Sequence, residues 1–178
     1  MGSRFLGALA AAAFALTATS GMAQQAASSE NQVAAKTDWS VFEDSDPREC
    51  WAVTTFKESV NTREGRVVAV KRSDILFMVF YRPGADLKGQ VTFTGGYPFA
   101  KGSTVNMDVD GNQFELFTEG EWAWPASAAD DVKIITAMKR GSKAVLTARS
   151  SRGTITKDTF SLLGFTAAEE EASKRCAK

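Results

Sequence analysis

The stretch Thr104-Val-Asn-Met-Asp-Val-Asp110-Gly111-Asn-Gln-Phe-Glu-Leu116 decides the fold class. Val105, Met107 and Val109 alternate with polar Asn106 and Asp108. Asp110-Gly111 is a dipeptide that closes a tight hairpin, and Phe114 and Leu116 resume the alternation. A period of two places the apolar side chains on one face of a two-stranded ribbon. Asp108, Asp110 and Asn112 imitate the ligand spacing of a calcium loop. An EF-hand, however, sets its glycine at the sixth position, and Gly111 stands fourth. The hairpin reading is the one retained.

Outward from this hairpin, short apolar or alternating runs recur between Gly, Pro, Asn and Asp. The pattern predicts strands over 38–43, 51–57, 66–71, 75–81, 90–94, 104–109, 113–118, 121–124, 144–149 and 155–162. Most connections are too short for the helix that a parallel crossover needs, so the expected fold is all-β dominated, an antiparallel β-sandwich with one or two short helices. Ser127 is placed to cap one helix, with Asp130 and Asp131 in its first turns, an apolar stripe of Val132, Ile135 and Met138, and a stop at Lys139-Arg140-Gly141. Thr166-Ala-Ala-Glu169 reads as a capping box opening a second.

Arg4, the apolar run 5–17 and the small-x-small Gly21-Met22-Ala23 predict a secretory signal peptide over 1–23. That run is too short to cross a bilayer, and no transmembrane segment is expected after signal removal. Residues 24–37, rich in Ala, Gln and Ser, read as a flexible leader, which leaves one domain over 38–178. Two cysteines in an exported chain pair by default, so Cys50 and Cys176 are expected to form a disulfide that ties the start of the domain to its end.

Composition narrows the function. The 178 residues contain no histidine and carry 21 basic against 21 acidic side chains. Without imidazole there is no Ser-His-Asp or Cys-His nucleophile and no histidine metal site. Net neutrality, with no long Lys/Arg run, argues against nucleic acid as a partner, and pairs such as Lys71-Arg72 read as solvated strand ends. There is no Ser-x-x-Lys and no dinucleotide fingerprint, and Gly84-Ala-Asp-Leu-Lys-Gly89 departs from a phosphate loop at Gln90. No cofactor or metal is expected.

Two kinds of surface remain. Tyr97 and Phe99, with Trp122 and Trp124, stand beside prolines and glycines, where aromatics either build a binding pocket or plug the end of a sandwich core. Arg149, Arg152 and Lys157 flank the turn 150–154, where they either meet an anionic partner or form a solvated tip. Glu115, Glu119 and Glu121 supply the carboxylates that a glycan hydrolase would need.

Trp39, Cys50, Gly96-Tyr97-Pro98-Phe99 and Asp110-Gly111 with Phe114 and Leu116-Phe117 then form the first part of an ordered pattern. Ala123-Trp124, Ala137-Met-Lys-Arg-Gly141, Ser150-Ser-Arg-Gly-Thr154, Thr159-Phe-Ser-Leu162, Gly164-Phe165 and Cys176 complete it. In this order the pattern resembles the invasion-associated locus B family of bacterial envelope proteins. The resemblance implies an exported, immunoglobulin-like β-sandwich in the periplasm or at the outer membrane. It implies no catalytic residues, and it points to an envelope protein or surface component as partner. A carboxylate-dependent hydrolase and a surface-exposed adhesion factor stand as alternatives.

Overall fold

The hairpin that the alternation predicts joins Thr104–Val109 to Asn112–Glu119, with Val109 opposite Asn112. Asp110 and Gly111 both adopt positive φ, 46° and 95°, the requirement of the turn that matches strand twist. The carboxylates are occupied by hydrogen bonds: Asp108 accepts from the Gly111 amide at 2.8 Å, and Asp110 from the distant Ser142 amide at 2.6 Å.

A computed structural model describes residues 31–177; the expected signal peptide and residues 24–30 of the expected leader lie outside that range. In chain order the strands are β1 Gln32–Lys36, β2 Trp39–Ser45, β3 Arg48–Thr55, β4 Glu58–Arg63, β5 Arg66–Val67 and β6 Leu76–Arg82. They continue as β7 Leu87–Thr94, β8 Thr104–Val109, β9 Asn112–Glu119, β10 Trp122–Trp124, β11 Lys143–Arg149 and β12 Ile155–Ser161; the helices are α1 Ala128–Arg140 and α2 Phe165–Cys176. All pairings are antiparallel, in the order β1-β2-β3-β6-β7-β10-β9-β8-β11-β12-β4-β5.

The fold is all-β dominated, as the sequence predicts, and the sheet is continuous. Short β10 bonds to β7 and β9 together, joining what would otherwise be two separate layers. Trp39, Val41, Phe77, Val79, Val91 and Phe93 from one half, and Val105, Met107, Leu116, Leu146 and Phe160 from the other, share one buried core. The halves meet at aromatic contacts, Phe77 with Phe160 at 5.4 Å and Phe93 with Phe160 at 6.0 Å between ring centroids.

Several expectations are corrected. Residues 32–36, read as leader, form β1 on β2, because their main-chain groups pair with the sheet edge although Gln, Ala and Lys carry no apolar signal. β4 was not predicted, since Glu58-Ser-Val-Asn-Thr-Arg63 lacks apolar alternation; its half-buried side chains are mostly polar instead. The strand expected over 66–71 is only Arg66–Val67, after which the chain leaves the sheet.

Helix α1 begins as predicted, with the Ser127 hydroxyl accepting from the Asp130 amide. Its buried side is Asp131, Ile134, Ile135 and Met138, and Val132 is 61% exposed. The capping box at α2 does not form. Gly164, not Thr166, occupies the N-cap, and Glu169 turns inward to accept a 2.5 Å bond from the Tyr81 hydroxyl. Gly164 is held at φ +90°, where a Cβ would lie 1.9 Å from the Lys36 carbonyl oxygen, so only glycine admits β1 at this distance. Cys50 and Cys176 form the expected disulfide across 126 positions, fixing the end of α2 to β3. No helix among the described residues is long and apolar enough to cross a membrane.

Candidate functional site

At one end of the sandwich the inward row of β12 changes from apolar to polar: Phe160 is followed, towards the strand start, by buried Asp158, Thr156 and Thr154. β4 answers residue by residue. Ser59, opposite Asp158, donates to its Oδ1 at 2.7 Å; Asn61 lies opposite Thr156; and Arg63 donates to the Thr154 hydroxyl at 2.7 Å. A carboxylate at an inward position needs a cation, and Arg72 supplies it. Its side chain is 6% exposed and that of Asp158 0%, with Nη2 to Oδ2 at 2.6 Å and Nη1 to Oδ1 at 2.8 Å. The remaining Nε–H donates to the Gly95 carbonyl at 2.7 Å.

The guanidinium also lies over the Tyr97 ring, 4.9 Å from its centroid, and the Tyr97 hydroxyl is 2.5 Å from that of Thr156. Burial pushes the Tyr97 phenol above its ordinary range. Tyr97 is fixed from below by Phe99, edge-on at 5.2 Å, and by the backbone around it. The Phe99 amide donates to the Gly120 carbonyl, Ala100 to Arg149, and the Ser151 amide to Pro98. Gly96 has φ +70°, and a Cβ there would stand 2.6 Å from the Ser73 carbonyl oxygen, so glycine permits this loop to meet the chain leading into β6.

Above this polar floor lies an open cleft of about 550 Å³. Arg63, Lys71, Arg72 and Arg152 bring cations to it, Glu121 one carboxylate, and Val70 and Pro98 apolar wall. Its far side is the turn 150–154, where the Ser150 hydroxyl accepts from the Thr154 amide at 3.1 Å.

The invasion associated locus B family matches residues 39–173. The chain belongs to this family. A crystal structure of invasion associated protein B from Bartonella henselae is similar in fold, with a TM-score of 0.55 at 16% identity, covering 82% of this chain and 98% of that one. No curated protein matches. In this invasion-associated locus B protein the segments Gly96-Tyr97-Pro98-Phe99 and Ser150-Ser-Arg-Gly-Thr154, which carried the resemblance, together form much of the cleft.

The residues singled out in the sequence divide sharply. Tyr97 and Arg152 come together at the cleft. Phe99 is 6% exposed and packs on Phe93 as well as Tyr97, so it takes the core-plug role. Trp122 and Trp124 are on the outward face of β10, opposite Thr94 and Phe117 respectively, with Trp122 44% exposed. Arg149 is exposed and lends the site only its carbonyl; Lys157 points outward between Thr156 and Asp158. Of the three carboxylates, Glu121 alone lines the cleft, while Glu115 accepts from the Thr104 hydroxyl on the outer face of β9. A glycosidase needs two carboxyl groups flanking one bond, and the cleft does not bring a second to its lining.

Arg63, Lys71 and Arg72 were missed. The loop carrying Lys71 and Arg72 reads as a strand end because the partner of Arg72 lies 86 positions away. The signal that was available is Asp158 itself, an acid at an inward step of the alternation Thr156, Asp158, Phe160.

Proposed function

We propose that this protein is exported to the periplasm or outer envelope and acts without catalysis, by binding an envelope or host component through the cleft above Arg72 and Asp158. The observation that carries this reading is an open concavity whose floor is held by hydrogen bonds from β4, β12 and two loops, while its rim cations remain available to a ligand. Export is supported by the signal-like N-terminus and by a disulfide that closes most of the domain, a bond that persists in oxidising compartments. The name of the structurally similar Bartonella protein supports including a host component among the partners.

The test is crosslinking in intact cells, with a photoreactive residue at Ser151 on the cleft rim and another at Lys174, on the outer side of α2, as a control. A specific partner captured from position 151 and not from 174 is expected. Identical capture from both, or none from either, overturns the reading. Protease treatment of whole cells separates a periplasmic partner from a host one, because a protein cleaved before the outer membrane is opened is exposed at the surface.

A further inference from the structure

We propose that the cleft takes a phosphate monoester carried on a small sugar-sized body; this deepens the binding function proposed above and rests on it. The charge pattern is the first reason. The chain is neutral overall, yet four cations line this one concavity against Glu121, with Asp158 beneath. Asp158 is committed to Arg72. Among the described residues Lys71 and Arg152 make no ion pair, and Arg63 donates only to the neutral Thr154 hydroxyl.

Three cations without carboxylate partners around one cleft suit an anion that offers three oxygens and close to two charges, which is a phosphate monoester. A carboxylate offers two oxygens and one charge. Two of the three are arginines, whose planar fork matches phosphate oxygens, and Lys71 adds a mobile point charge.

The second reason is the remainder of the lining. At about 550 Å³ the cleft has the size of small-molecule sites and exceeds what a bare phosphate fills. Glu121 would oppose a wholly anionic ligand, but it accepts hydrogen bonds from hydroxyls, and Val70 and Pro98 offer apolar contact to carbon-bound hydrogens. Phosphate at the cations and hydroxylated carbon at Glu121 together describe a sugar phosphate.

The experiment is calorimetric titration of the chain without residues 1–23, using glucose 6-phosphate, inorganic phosphate, glucose and glucuronate, and phosphatidic acid in phosphatidylcholine vesicles as the lipid source of the same group. Glucose 6-phosphate is expected to bind at least about tenfold more tightly than glucuronate or inorganic phosphate, with affinity falling as salt rises, and glucose is expected not to bind. Lys71→Ala and Arg152→Ala should each weaken binding by about tenfold with the melting temperature unchanged, because both side chains are exposed. Equal affinity for glucuronate, binding to the vesicles alone, or full affinity in the Lys71→Ala/Arg152→Ala double variant overturns the inference. If the double variant loses no phosphate binding but position 151 still captures its partner, this inference fails and the binding function stands. If capture fails while sugar phosphate still binds, the reverse holds.

Discussion

The guanidinium of Arg72 and the carboxylate of Asp158 meet in fork geometry, at 2.6 and 2.8 Å, at the end of the sandwich where the buried row turns polar beside Thr154 and Thr156. Removing either partner strands a buried charge. Arg72→Ala and Asp158→Ala should each lower stability by about 3–5 kcal/mol, and the double variant by much less than the sum. Arg72→Lys should behave like the alanine variant, since an ammonium does not satisfy two carboxylate oxygens and the Gly95 carbonyl in the same plane. Urea unfolding reads all four; a loss below about 1 kcal/mol in Arg72→Ala would remove the pair from its structural role.

The Cys50–Cys176 bridge should add about 2–4 kcal/mol, chiefly by restricting the unfolded chain across its 126-position loop. Reduction should lower the melting midpoint without abolishing the sheet, because Arg175 also ties the end of α2 to Glu43 at 2.9 Å and Arg48 donates to the Arg175 carbonyl at 2.8 Å. Intact mass under non-reducing conditions should be two hydrogens below that of the dithiol; two free thiols in protein from the envelope would contradict the bridge.

Asp131 provides a pH signature. Burial raises its carboxyl to about 6, although its Oδ1 accepts the Val91 amide at 2.8 Å. The folded state therefore holds the proton more tightly than the unfolded chain, whose value is near 3.8. Its contribution is greatest below about pH 4 and is lost as pH rises through about 6, by an amount on the order of 2 kcal/mol. Asp131→Asn keeps an acceptor for Val91 without the charge. It should equal the parent near pH 3 and exceed it in stability at pH 8. Asp38, Asp86, Asp110 and Asp130 titrate below their usual range and act oppositely at more acid pH, but they are common to both proteins. A variant less stable than the parent at pH 8 would refute this account.

Gly164 couples α2 to β1. Gly164→Ala should cost about 1–3 kcal/mol more than Gly153→Ala, which shares a positive φ but has open space around its Cβ position. In a chain starting at Asp38, which lacks β1 and the Lys36 carbonyl, that excess should disappear, and the truncated parent should itself melt lower. Thermal unfolding of the parent and both variants in the two backgrounds, six proteins in all, measures the coupling; an unchanged excess would show that Lys36 is not its source.

The fold was legible wherever burial followed the periodicity of a single segment. Val105 to Leu116 alternates because one face of each strand meets the core, and Ser127 caps α1 through atoms three residues away. β1 and β4 were illegible for the opposite reason: one is an edge strand paired mainly through its main chain, and the other turns half-buried Ser59 and Asn61 towards polar partners, where alternation carries no apolar mark. Glu169 misled because the spacing of a capping box says nothing of Tyr81, which lies 88 positions away.

By itself the sequence determined the antiparallel β class, the hairpin at Asp110-Gly111, the pairing of its two cysteines and the family pattern, since each depends on short-range periodicity, turn stereochemistry or the small number of possible partners. Only the tertiary structure decided that Phe99 is core, that Trp122 and Trp124 face outward, and that Arg63, Lys71, Arg72 and Arg152 share a cleft. Those outcomes depend on which distant strands become neighbours. That choice belongs to the packing of the whole sheet around one core, and no local stretch of residues encodes it.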